Sequence, residues 1–191
     1  MKKQMFKLAT VSAFMMAGLS AAHAGTNPGP VDVSGYITEY TCDLSIPPTS
    51  VSVNLGNHAP AEFVGTTTKV GTDNSLRLDV KNCAGSIPAN GTDLAVQLVV
   101  AQPSAVKNTL WGDAASTSTG VGLGLELSGG VTDNVAITPA NRVYPVLEAT
   151  AAAQPLAGLT WSLPASIFMQ SGAGPVANGK VHDVWSFTMA Y

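Results

Sequence analysis

The chain is poor in charge: 11% of its 191 residues are Asp, Glu, Lys or Arg, against about 25% in an average soluble domain. Nucleic-acid binding calls for a basic face, and nine Lys and Arg against twelve Asp and Glu do not supply one. Disorder is excluded from the other side. Disordered chains combine low hydrophobicity with high net charge, whereas 46% of these residues are hydrophobic. Two cysteines are too few for a disulfide-rich miniprotein or a zinc site built from cysteine. Nineteen Gly and twelve Pro are too few for collagen or a low-complexity chain. No apolar run reaches the roughly 20 residues of a membrane-spanning helix, so no membrane insertion is expected. The length suits one domain.

What is present begins with the first 24 residues. Lys2, Lys3 and Lys7 form a positive start, Leu8 to Leu19 is apolar apart from Thr10, Ser12 and Gly18, and Ala22-His23-Ala24 is a small-x-small site. This is the pattern of a cleavable secretory signal over residues 1–24. The mature domain is then expected over residues 25–191. Three cations leave with the signal and no acids do, so six cations face twelve acids in the exported chain. Export puts Cys42 and Cys83 where thiols oxidise, and one disulfide between them is the simplest reading. A reactive or metal-binding pair is the alternative, but the spacing fits no ligand pattern.

The mature chain reads as strands separated by turns. Period-two runs cover Val31 to Tyr40, Val51 to Leu55, Leu76 to Val80, Leu94 to Val100, Val121 to Leu127, Leu159 to Met169 and Val181 to Tyr191. Strict alternation predicts half-buried strands. Between them sit turn-formers such as Pro47-Pro48, Thr72-Asp73-Asn74, Pro88-Ala89-Asn90-Gly91, Gly129-Gly130 and Asn178-Gly179. Glu148 to Ala153 is the one helix-tolerant stretch, and Pro155 stops it. Seven such strands predict an all-β sandwich.

Chemistry is sparse. The exported chain keeps two histidines: His58 in a turn beside Pro60, and His182 on the polar parity of the last run. Neither has a partner at a known catalytic spacing. There is no Gly-x-Ser-x-Gly elbow, phosphate loop, His-Glu-x-x-His or calcium-loop spacing. Gly120 to Gly124 is Gly-x-Gly-x-Gly, but it lies within an alternating strand rather than between strand and helix, so the dinucleotide reading fails. Trp161 and Trp185 share parity with core positions. Trp111, beside Gly112-Asp113, is the aromatic expected at the surface. No enzyme activity and no cofactor are expected.

The ends of the chain carry a resemblance. The run Gly179-Lys-Val-His-Asp-Val-Trp-Ser-Phe-Thr-Met-Ala-Tyr191 resembles the closing strand of chaperone–usher pilins of the type 1 fimbrial family, where a Gly precedes a near-terminal Tyr by twelve residues. Val31-Asp-Val-Ser-Gly35-Tyr-Ile-Thr-Glu-Tyr-Thr-Cys42 is similar to the family's first strand, and Val80-Lys-Asn-Cys83 holds its second cysteine. Gly120 to Leu127 and Leu163 to Gly172 resemble internal strands.

The resemblance implies an immunoglobulin-like β-sandwich that lacks its last strand and is completed by a partner's donor strand. It implies a groove for chaperone or subunit along Gly179, Val181, Trp185, Phe187, Met189 and Tyr191. It also implies a donor segment over residues 25–34. Pro28 and Pro30 offer no N–H to a ladder, which leaves Val31 and Val33 as the donor's apolar residues. The implied partners are a periplasmic fimbrial chaperone, an outer-membrane usher and neighbouring fimbrial subunits. The implied place is a surface fimbria serving adhesion, reached through the periplasm. A free-standing secreted sandwich that binds sugar or protein through Trp111 is the alternative. A secreted hydrolase is the third reading, and it lacks a base with an orienting partner.

Overall fold

The computed structural model describes residues 38–47 and 52–191. All of them belong to one compact unit, Ile37–Tyr191. The expected signal segment and the donor segment with Val31 and Val33 lie outside the described residues.

Ten strands follow in chain order: β1 (Tyr40–Ser45), β2 (Lys69–Asp73), β3 (Arg77–Ile87), β4 (Leu94–Val100), β5 (Val121–Leu127), β6 (Val135–Ile137), β7 (Val143–Leu147), β8 (Gln154–Pro155), β9 (Trp161–Ser171) and β10 (Ser186–Ala190). A single 3-10 turn, Pro60–Glu62, is the one helical element among the described residues. The larger sheet runs β1-β3-β9-β5-β6, with β2 also on β9 and β8 on β3. The smaller sheet runs β10-β4-β7. Every pairing is antiparallel. The fold is an all-β sandwich, as the alternation predicts.

β9 organises the larger sheet. β5 follows one of its edges from Val121↔Ser171 to Leu127↔Ala165. The other edge is shared by β3, at Arg77↔Pro164 to Val80↔Trp161, and β2, at Lys69↔Gln170 and Val70↔Met169. The inward parity of each strand then meets the facing sheet. Leu78 and Val80 of β3, Leu125 and Leu127 of β5, and Leu163, Ala165 and Ile167 of β9 pack with Leu94, Val96 and Leu98 of β4 and Tyr144 and Val146 of β7 in one core. Fully burying such a side chain is worth about 1.5–3 kcal/mol.

β4 and β5 match the runs expected from sequence. Other elements differ, each for a physical reason. Of the expected run Val31 to Tyr40, residues 31–37 lie outside the described residues; the first strand among the described ones is β1, which starts at Tyr40 and has Cys42 at its centre. Ser52 to Leu55 keeps alternating burial, exposed and half-buried in turn, but joins no ladder. Period two reports which side meets the core, and is silent on whether a neighbouring strand exists. The last run forms a strand only from Ser186. Before it, the backbone bonds to a loop instead: the amides of Thr117 and Ser118 donate to the Lys180 carbonyl, and that of Asp113 to the His182 carbonyl. Glu148 to Ala153 forms no helix, because its backbone is tied to loop 88–93 through Ala149 N–H to Asp93 and Asn90 N–H to the Thr150 carbonyl. β2, β6, β7 and β8 are further strands beyond the expected seven. β7 and β8 carry Pro145 and Pro155, and both run at sheet edges, where proline is tolerated.

Trp111 is not at the surface. It is fully buried. Its backbone exchanges both hydrogen bonds with Leu123 of β5. Its indole N–H donates to the Ile137 carbonyl at 2.9 Å, and the Arg142 guanidinium lies 5.0 Å from the ring centre. Pairing with β5 draws the residue inward, although Gly112-Asp113 beside it turns the chain.

Candidate functional site

The site is an apolar groove beside β10. β10 bonds to β4 on one edge, with register Phe187↔Leu98, Thr188↔Gln97 and Met189↔Val96. Among the described residues no strand pairs its other edge. A cavity of about 1160 Å³ opens beside the segment that leads into β10, and of β10 itself Phe187 lines it. Its floor is Val121, Leu123, Ile167 and Met169 from the larger sheet, with Leu76 just ahead of β3. One wall is segment 52–58, which joins no ladder among the described residues, with Val53 and Leu55, backed by Phe63. The other wall carries Val176, Val181, Trp185 and Phe187. The floor is nearly sealed from solvent, while the wall side chains are only half-buried.

Alternation explains β10. Phe187 and Met189 turn to the core side and are half-buried, while Ser186 and Thr188 are exposed. Of the six residues expected to form the groove, Gly179, Val181, Trp185 and Phe187 line the cavity. Met189 packs on the core beyond it. Tyr191 does a different job. Its hydroxyl donates to the Cys42 carbonyl and accepts from the Cys42 amide, both at 3.0 Å. Its ring meets Tyr40 edge-on, 5.4 Å between centres. Tyr191 thus spans from the end of β10 to β1. Gly179 is fixed by close approach: a Cβ there would lie 2.6 Å from the Thr117 carbonyl carbon. The chain beyond it can therefore press against loop 113–119.

That loop stiffens the β10-side wall. Ser116 Oγ accepts from the His182 amide and donates to the His182 carbonyl, and Thr117 Oγ1 accepts from the Lys180 amide. His182 Nδ1 lies 2.7 Å from Asp113 Oδ2. So His182 is not on a strand's polar face. Burial pushes the Asp113 carboxyl up, but hydrogen bonds from His182 and the Ala115 amide pull harder, and its pKa sits below the ordinary aspartate range. Asp183 accepts from the Trp185 indole N–H at 2.8 Å and from the Gln102 amide. These bonds aim Trp185 along the cavity.

Sequence reasoning missed segment 52–58 as a wall. Its signal was present: a period-two run followed by Gly56-Asn57-His58 rather than by a hairpin partner. His58 anchors that wall. One ring nitrogen is 2.9 Å from Glu62 Oε2 and the other 2.8 Å from the Leu55 carbonyl. The hydrogen bond to Glu62, then that to Leu55, raise its pKa. The same contact holds Glu62 below its ordinary value.

Cys42 and Cys83 are joined in a disulfide, tying β1 to β3 with 4.1 Å between their Cα atoms. No group of three or more His, Cys, Asp or Glu side chains suited to a metal occurs among the described residues. No helix among them is long and apolar enough to cross a membrane.

No family model matches the chain. No curated protein matches it either. Among solved structures it is similar to the crystal structure of the P pilus rod subunit PapA, at 15% identity, over 85% of this chain and 99% of that one, with a TM-score of 0.43. So loose a superposition carries no argument, and the fold rests on the strand pairing described above.

Proposed function

We propose that the chain is a structural subunit of a surface fimbria whose groove receives a β-strand from another protein. The observation that carries this is the apolar cavity between segment 52–58 and the run 176–187, next to the edge of β10 that no strand pairs among the described residues. An open strand edge over apolar surface invites pairing with another chain. A strand laid there gains main-chain hydrogen bonds along β10 and buries alternate side chains on the floor. The resemblance of Gly179 to Tyr191 to a pilin closing strand supports the same reading.

In this reading a periplasmic chaperone fills the groove first, and a neighbouring subunit's N-terminal segment replaces it at an outer-membrane usher. Val31 and Val33 serve as this chain's own donor residues. The contact is heterologous, so it propagates as a filament. Adhesion is the role of the assembled fimbria. No catalysis is required. The free-standing binding module loses its candidate aromatic, since Trp111 is buried and held by Ile137.

The test is expression of the exported chain with and without a fimbrial chaperone. Aggregation alone and rescue as a one-to-one complex are expected. A chain that stays monomeric alone at micromolar concentration and is neither bound nor stabilised by the chaperone refutes the reading.

A further inference from the structure

His58 faces two acceptors that carry no proton of their own. Its Nδ1 points at the Glu62 carboxylate and its Nε2 at the Leu55 carbonyl. A neutral imidazole has one N–H and can donate to only one of them; the imidazolium donates to both. The surroundings are shaped around this ring. A Cβ on Gly71 of β2 would lie 2.7 Å from Nε2 and 2.6 Å from the Leu55 carbonyl oxygen, so glycine there leaves the space the contact needs. Glu62 is fixed in turn, because its other oxygen accepts from the Ala59 amide at 2.6 Å. Leu55 is a groove-wall residue in a segment with no ladder to hold it.

We propose that His58 is a pH-dependent brace for the 52–58 wall of the groove: as imidazolium it ties Leu55 to Glu62, and loss of one proton releases the wall.

The neighbouring charges leave this pair to act alone. On β2 the flanking charges are committed elsewhere, Lys69 to Glu126 at 2.6 Å and Asp73 to Ser75 at 2.8 Å. Across the groove stand Lys180, His182 and Asp183. His182 is the contrasting case. It has one acceptor, Asp113, on one ring nitrogen, and a neutral ring with its proton on Nδ1 keeps that bond. The two histidines therefore differ in kind, though both line the same cavity.

The sign follows from the raised affinity of His58 for its proton. The brace is complete below the unfolded histidine value of about 6.5 and is lost as pH rises through the higher folded value. For the proposed strand-receiving role, on which this consequence rests, a preformed wall favours capture. Capture is then tighter on the acid side.

Hydrogen exchange of the full chain tests the brace without any partner. After correction for intrinsic rates, protection of the two hydrogen-bonded amides at the brace, Gly56 to Asn54 Oδ1 and Ala59 to Glu62 Oε1, should fall roughly fivefold to tenfold between pH 6 and pH 9, the worth of about one hydrogen bond. Glu62→Gln is the decisive variant. Its amide can donate to a neutral Nδ1 while Nε2–H still serves Leu55, so protection should stay level with pH. His58→Phe should lose protection at every pH. Urea midpoints followed by tryptophan fluorescence at submicromolar concentration give the same contrast where exchange is obscured by association. A flat wild-type profile, or a Glu62→Gln profile that falls like wild type, overturns the brace. Chaperone capture reports on the groove separately. Its absence at every pH overturns the groove reading and leaves the brace standing.

Discussion

β9 and β10 are both antiparallel strands with period-two sequences, yet one is finished and the other is not. β9 has β5 on one edge and β3 with β2 on the other, and its inward Leu163, Ala165, Ile167 and Met169 are all buried. Among the described residues β10 pairs with β4 alone, and its inward Phe187 and Met189 remain half-buried. The difference lies in the neighbours, not in the strand's own pattern. Apolar burial contributes about 25 cal/mol per Å² removed from water, so side chains left half-covered mark free energy that a further strand would realise. The contrast separates what the chain stabilises by itself from what it leaves open.

The largest effect is expected where the finished half is stapled. Cys83→Ser removes the tie between β1 and β3 and should lower stability by about 4 kcal/mol in urea unfolding, from the loop the bond closes. Next comes the direct comparison. Leu163→Ala, fully buried on β9, should cost about 3 kcal/mol. Phe187→Ala on the free chain should cost about 1 kcal/mol, because less of that ring is covered. In a chaperone-bound sample the two costs should converge; equal costs in the free chain would erase the distinction between the strands. Tyr191→Phe sharpens it at one end. It removes both hydroxyl bonds to Cys42, should cost about 1 kcal/mol, and should speed exchange of the Cys42 amide. The smallest effect is electrostatic and concerns the β10-side wall. Asp113 has a lowered carboxyl pKa, so its contribution is present above the unfolded value of about 3.9 and is lost as pH falls through the folded one. Asp113→Asn should flatten the urea midpoint between pH 5 and pH 2; an unchanged acid slope would show that His182 does not hold this wall through Asp113.

Much of this architecture is readable from residues. Leu94 to Val100 and Val121 to Leu127 alternate and are strands with those bounds, because both are interior and their pattern and pairing coincide. The cysteine pair was legible from export and number alone. The groove's β10 wall was half legible: alternation gives the orientation of Phe187, but the hydrogen bonds of Lys180 and His182 to loop 113–119 arise from residues about 65 positions away and leave no local trace. Trp111 misled because its neighbours are turn-formers while its own backbone pairs with Leu123. The 52–58 wall misled in the opposite sense. Its pattern is that of a strand, but pairing is a property of two segments and only one is in the sequence window.

The disulfide has a mechanical consequence as well as an energetic one. Cys42 and Cys83 lie 41 positions apart. Tension entering the described unit ahead of Cys42 passes through the sulfur bridge directly into β3. The residues between carry none of it, so roughly 140 Å of extensible chain is withheld at about 3.4 Å per residue. The rungs inside the loop, Asp43↔Lys81 to Ser45↔Asp79, are therefore relieved of load, and yielding is directed to the parts outside it. There Tyr191 grips Cys42 through two hydrogen bonds on a single side chain, a fastening that peels rather than shears.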